Sequence, residues 1–182
     1  MIKKIKELVF WKLRGDIPIW AYTERGLKVG KNFSMEPGCS LDYPHCWLIE
    51  IGNEVTLAPK VHILAHDAST KRSLDYSKIG RVTIGSRVFI GAGAVILPNI
   101  NIGSDVIVGA GSVVTKSIPE GCIAAGNPAK VIGYTEDYLA GNKNKMETRP
   151  KFEEEYTVLG GIDENKKTIM KEKLKDDIGY VK

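Results

Sequence analysis

The sequence is short of several features that would point to a function at once. Its cysteines, Cys39, Cys46 and Cys122, are odd in number and fit no zinc-ribbon or redox spacing, so they read as reduced thiols of a cytoplasmic protein. Long hydrophobic runs are missing as well. The apolar stretch after the basic start is broken by Lys12, Arg14, Gly15 and Asp16, so neither a signal-peptide core nor a membrane span is expected. What that stretch allows is a short amphipathic helix that packs on the domain or touches a membrane surface. Charge of one sign is scarce too, with a net charge of +4, and the lysines gather near the ends in KKIKELVFWK and NKKTIMKEKLK. No basic element carries interleaved aromatic residues, which excludes nucleic acid as the expected partner and favours a small anionic ligand. A chain of 182 residues, 43% hydrophobic, is one ordinary domain with terminal additions.

What the sequence does have is a repeat. From residue 84 an aliphatic side chain returns every six residues as Ile84, Ile90, Ile96, Ile102, Val108 and Val114. Glycine follows four of them, at Gly85, Gly91, Gly103 and Gly109. The exceptions, Leu97 and Thr115, lie eighteen residues apart, as do GAGAVILPNI and GAGSVVTKSI. A six-residue unit inside an eighteen-residue period implies three short strands per coil, with two corners alike and the third different. Six residues are too few for a helix and suit a short strand plus a tight corner, where glycine is expected to supply backbone conformations that a β-carbon forbids. One such rung cannot bury its apolar side alone, so coils must stack. The position four after each aliphatic is also mostly small or β-branched, as Val88, Ala94, Ile100, Val106, Ser112 and Ile118. The same phase recurs earlier as Ile51, Leu57 and Ile63 and, in another register, as Val29, Met35, Leu41 and Trp47. The expected fold is an all-β core, a parallel β-helix of hexapeptide repeats with about four to five coils and short helices at both ends. Its expected bounds are residues 27–133, after a helical or irregular segment 1–26 and before a helical tail 134–182.

The phase locates an interruption. Ile63 to Ile84 spans twenty-one residues, one coil plus three or one hexapeptide plus fifteen, and the failing segment is HDASTKRSLDYSKIG. A polar loop at about residues 66–80 therefore leaves the prism at VHILAHDAST, where His62 and His66 stand four apart. These histidines could be metal ligands, a catalytic base or polar residues at a strand end. His62 alternates with Val61 and Ile63 and is expected to face solvent or a neighbouring subunit, whereas His66 sits on the loop.

Two longer stretches carry a family resemblance. IGNEVTLAPKVHILAHDAS and VTIGSRVFIGAGAVILPNINIGSDVIVGAGSVVTKSIPEGCIAAGNPAKVIG resemble the hexapeptide-repeat acyltransferases, and within them the sugar and surface-polysaccharide O-acetyltransferases related to the maltose, galactoside and streptogramin enzymes. The resemblance covers roughly residues 27–134. It implies a left-handed β-helix, a homotrimer with active sites between subunits, and transfer of acetyl from acetyl-CoA to a hydroxyl of a glycan or small-molecule acceptor, with no metal required. It matches His66 to the general base, a role an imidazole can fill near neutral pH. It matches Thr115 and Lys116 to coenzyme contacts and Lys130 to a basic residue near the nucleotide phosphates. Ala92 and Ala110, eighteen apart, should stack and leave a groove for the pantetheine arm. Glu36 stands where the galactoside type has an acceptor-side asparagine. Asp42, expected one or two coils below the loop, would bind acceptor hydroxyls from the neighbouring subunit or else be an exposed turn residue. The role of Asp67 stays open.

Two other classes share the prism. A γ-carbonic-anhydrase-like zinc hydratase would use histidines across a subunit interface, but that family pairs them five apart, and a non-enzymatic scaffold would bind no coenzyme. Beyond Tyr134 the repeat stops. TEDYLAGNKNKM reads as a short helix and ETRPKFEEEY as a polar linker. The last segment reads as a helix capped by Asp163, with an apolar seam of Met170, Leu174 and Ile178.

Overall fold

The computed structural model describes residues 16–182. The helix expected in the basic N-terminal stretch lies outside them. The chain divides into two compact units, one running to Thr135 and the other formed by Glu136–Lys182.

In the first unit, strands of two to five residues pair in parallel into three sheets, each visited once per coil. The first face stacks Val29, Ile51, Ile84 and Ile102, with Ile118 bridged to Ile102. The second stacks Met35, Leu57, Ile90, Val108 and Ala124. The third stacks Ile63, Ile96 and Val114, with Ser40 bridged to His62 below them. From Leu57 upward the aliphatic members of the last two columns are fully buried, and so are Val82, Val88 and Val106 on the neighbouring inward positions. Burying one such side chain contributes about 1.5–3 kcal/mol, so each coil stabilises the next only when stacked.

Two residues leave the expected phase. Ile118 takes the first-face column above Ile102, two residues early, rather than the position four after Val114. Trp47, in phase by counting, is 50% exposed, because the chain leaves its regular path after Leu41.

The corner glycines also differ from expectation. Gly85 and Gly91 do not have positive φ, which falls two residues later, on Arg87 at 56° and Gly93 at 69°. A β-carbon on Gly91 would stand 2.5 Å from the Ala110 nitrogen of the next coil, and one on Gly85 would stand 2.6 Å from that of Ser104. Glycine is required there by the close approach of stacked coils rather than by its dihedral freedom.

The stack ends in an antiparallel hairpin of Cys122–Gly126 with Ala129–Tyr134. In the second unit, helix Glu164–Lys173 starts at Asp163, whose Oδ1 accepts from the Lys166 nitrogen at 2.7 Å. The expected seam is cut short, since the helix ends at Lys173 and Ile178 lies beyond it, 54% exposed. The segment read as a linker instead holds strand Lys151–Phe152, which pairs with Tyr180–Val181 and buries Phe152. Among the described residues no helix is long and apolar enough to cross a membrane.

Candidate active site

Regular coils bring the next column into place after six residues, as from Ile96 to Ile102. Besides the shortened step from Val114 to Ile118, two coils break this rule by insertion at the same corner, between the third and first faces. Ile63 is followed on the first face by Ile84, and the pairing of Ile51 with Ile84 settles the register as one hexapeptide plus fifteen residues. One coil lower, the pairing of Val29 with Ile51 is offset by twenty-two residues, four beyond the eighteen-residue period. The long insertion closes on itself: Asp67 and His66 pair antiparallel with Lys78 and Ile79, and the Gly80 nitrogen donates to the Ala65 carbonyl at 2.9 Å. The short one carries Asp42 in a left-handed conformation, φ 44°, which aspartate tolerates better than most residues, followed by the 3-10 turns of Tyr43–Leu48.

The two insertions meet through Asp42. Its Oδ2 accepts from the backbone nitrogens of Ala65 at 2.6 Å and His66 at 2.8 Å, and Nδ1 of the His66 ring lies 2.7 Å from the carboxylate oxygens. Asp42 is 4% exposed, which corrects the expectation of an exposed turn residue, and its carboxylate is engaged by Ala65 and His66 of its own chain. A buried carboxylate needs donors, and here backbone and imidazole supply them. Because Asp42 can only accept, Nδ1 of neutral His66 carries the hydrogen, and the lone pair is left on Nε2. The His66 side chain is 32% exposed, so the corner is open to a ligand. His45, from the short insertion, leans on His66 with ring centroids 4.7 Å apart, and its own Nδ1 is 3.6 Å from Asp42 Oδ1.

Asp67 does not serve the imidazole. Its carboxylate pairs with Lys78 at 2.5 Å and caps the Ser69 nitrogen at 2.8 Å. The Lys78 hydrogen bond, with help from that cap, holds the Asp67 carboxyl well below the usual carboxylate range. Lys78 and Asp67 thus pin the two ends of the loop together.

The remaining candidates are divided between two corners and the terminal hairpin. Thr115 is exposed on the His66 corner, above Leu97, whose nitrogen donates to the Val114 carbonyl at 3.1 Å, and Lys116 follows it, also exposed. Ala92 and Ala110 stack, as the spacing predicts, with the Gly111 nitrogen donating to the Ala92 carbonyl at 2.8 Å. They lie on the corner between the second and third faces, and Glu36 lies on that corner too, exposed, two coils below Ala92. Lys130 is exposed on the terminal hairpin, opposite Ala125. One chain therefore brings His66 near neither alanine, and Glu36 lies away from the Asp42–His66 pair. His62 is exposed on the third face. Sequence reasoning missed the bond from Asp42 to His66 and the packing of His45 against that pair. The signal was there, in the four-residue slip between the register of Val29, Met35 and Leu41 and that of Ile51, Leu57 and Ile63.

A prism of hexapeptides with a polar corner defines a class, and comparison with known proteins agrees with it. Residues 81–116 match the family described as bacterial transferase hexapeptide (six repeats). YvoF of Bacillus subtilis (strain 168), provisionally named an acetyltransferase, is 35% identical over 121 residues, 66% of this chain and 67% of that one. The chain belongs to this hexapeptide-repeat transferase family. Protein CapG of Staphylococcus aureus is 47% identical over 96 residues, 50% of this chain and 56% of that one. The crystal structure of a maltose O-acetyltransferase from Clostridium difficile 630 superposes with a TM-score of 0.52 at 45% identity, covering 58% of this chain and 57% of that one. The matched region thus spans between about half and two thirds of the length of these relatives.

Proposed function

We propose that the protein is an acetyl-CoA-dependent O-acetyltransferase acting on a hydroxyl of a sugar or surface-polysaccharide precursor, with His66 as general base. The observation that carries this reading is the buried Asp42 carboxylate on Nδ1 of His66, which leaves Nε2 unprotonated on an open corner. In the reaction, the acceptor hydroxyl attacks the thioester carbonyl while its proton passes to Nε2. The tetrahedral intermediate then collapses, the carbon–sulfur bond breaks, and the imidazolium returns the proton to the CoA thiolate. Asp42 stabilises the imidazolium between these steps and holds the ring in place.

The resemblance supplies the finer features. In a left-handed β-helix assembled as a homotrimer, the Ala92–Ala110 corner of one subunit faces the His66 corner of the next, and the division of these residues between two corners of one chain fits such an arrangement. Thr115, Lys116 and Lys130 would contact the coenzyme, with Lys130 acting as a point charge for phosphate. The buried free thiols suit a cytoplasmic enzyme. The glycan acceptor belongs to the same reading, and so does the absence of a metal requirement for the reaction. Asp42 is a positioning residue, and Glu36 is left as the one acceptor-side candidate, contributed from the neighbouring subunit's corner.

The test is calorimetric titration of acetyl-CoA into wild type and His66→Ala, with CoA thiol release followed on a panel of mono- and oligosaccharides. Equal binding by both, with release slowed about 10²- to 10⁴-fold in the variant, is the expected result. No acetyl-CoA binding by the wild type would overturn the reading.

A further inference from the structure

Asp42 Oδ1 lies between two imidazoles, with Nδ1 of His66 at 2.7 Å and Nδ1 of His45 at 3.6 Å. Only the nearer makes a hydrogen bond. Nδ1 of His45 is buried and has no hydrogen-bond partner among the described residues, and its 3.6 Å gap to the carboxylate is too short for a water to lie between. The ligand atoms of the three residues all fall within 4.8 Å of one another.

We propose that Asp42, His45 and His66 form a binding site for a divalent transition-metal ion such as zinc, and that its occupation switches off His66 as a base. A tetrahedral ion with bonds of about 2.0–2.1 Å separates its ligand atoms by roughly 3.3 Å. The present separations of 2.7 and 3.6 Å from Oδ1 lie on either side of that value, so each ring moves by a fraction of an ångström. Two imidazoles and one carboxylate favour zinc, nickel or copper over magnesium or calcium. Oδ2 keeps its bonds to the backbone nitrogens of Ala65 and His66, which orient the carboxylate as outer partners do in metal sites. The His45 and His66 side chains are 30% and 32% exposed, so the rings reach solvent although the Asp42 side chain and Nδ1 of His45 do not.

The consequence for the imidazole is a tautomer change. A neutral histidine binds a metal through an unprotonated nitrogen, so an ion on Nδ1 of His66 sends that proton, by way of solvent, to Nε2. The lone pair that would accept the acceptor's proton is then occupied. The metal site rests on the three side chains alone, and only this last consequence rests on the acyl-transfer reading.

The experiment is calorimetric titration of zinc sulfate into the full chain, free of any tag and treated to remove metal. Wild type is compared with His45→Ala, His45→Phe, His66→Ala and His62→Ala. One ion per chain is expected in the wild type, with the apparent Kd raised more than about 100-fold in the His45 and His66 variants and unchanged in His62→Ala. His45→Phe keeps the ring against His66 and removes only the nitrogens, so it decides the case if the alanine variant unfolds. Nitrogen-15 spectra of the imidazoles should show zinc moving the His66 proton from Nδ1 to Nε2. No zinc binding by the wild type, binding untouched by the His45 variants, or binding lost with His62 would each overturn the site. Zinc binding without acetyl-CoA binding would leave the metal site standing and remove the acyl-transfer reading; the converse result would do the reverse.

Discussion

The coils built on residues 82–114 and the corner formed by residues 42–48 and 66–80 are made from one chain under opposite constraints. In the first region every sixth residue must fill a column between two neighbours, so side-chain type is dictated by position, and the one buried polar side chain, Ser112, accepts from the Gly126 nitrogen. In the second the column is suspended for four and then fifteen residues. Relieved of stacking, the chain places a carboxylate inside, two imidazoles beside it and a pinned loop above. The regular part supplies rigidity, and the interruptions supply chemistry. Their placement on one corner in adjacent coils turns two separate insertions into one site.

Substitutions can separate the two regions. The largest effect should come from His66→Ala, which slows acetyl transfer about 10²- to 10⁴-fold while acetyl-CoA binding is kept and the variant, though less stable, stays folded at the assay temperature. A fall in stability instead of rate would make the corner another piece of the scaffold. Asp42→Asn should cost at least about 10²-fold in kcat with little change in the KM for acetyl-CoA, because the amide can present a donor to Nδ1 and turn the ring to the wrong tautomer. In the regular coils, Ile96→Ala should lower unfolding free energy by about 2–5 kcal/mol in denaturant titration, since Ile96 is fully buried between Ile63 and Val114. Gly91→Ala should cost about 1–3 kcal/mol by the same measurement, because its β-carbon would meet the coil above at 2.5 Å. The smallest effect belongs to Asp67→Asn. Lys78 lowers the Asp67 carboxyl pKa, so its contribution to the loop is complete at neutral pH and is lost only as pH falls through that lowered value. The variant should therefore fall slightly below wild type in thermal midpoint at neutral pH, and the difference should close in acid, where wild-type Asp67 is itself protonated.

How legible each region was follows from the same contrast. Ile84 to Val114 could be read directly, because a six-residue period has one physical explanation at this strand length. The loop at residues 66–80 was legible as a failure of phase, and His66 as the histidine on it. Asp42 was not, because its partner is twenty-four residues away across two broken coils and no periodicity relates them. The glycines were located correctly but for the wrong reason, since sequence shows where glycine stands and not which neighbour a β-carbon would strike. Ile178 and Phe152 were misjudged because the terminal helix stops early and a two-stranded pairing, which spacing does not announce, claims the residues around it.

The central claim is that the interrupted corner holds His66 ready to accept a proton at Nε2. Long-range proton–nitrogen-15 correlation of the imidazoles tests it most directly, and with His45, His62 and His66 as the only histidines the spectrum can be assigned by single substitutions. The account predicts that neutral His66 carries its hydrogen on Nδ1 and loses that preference in Asp42→Asn. A His66 protonated at Nε2 in the wild type, unchanged by Asp42→Asn, would contradict it.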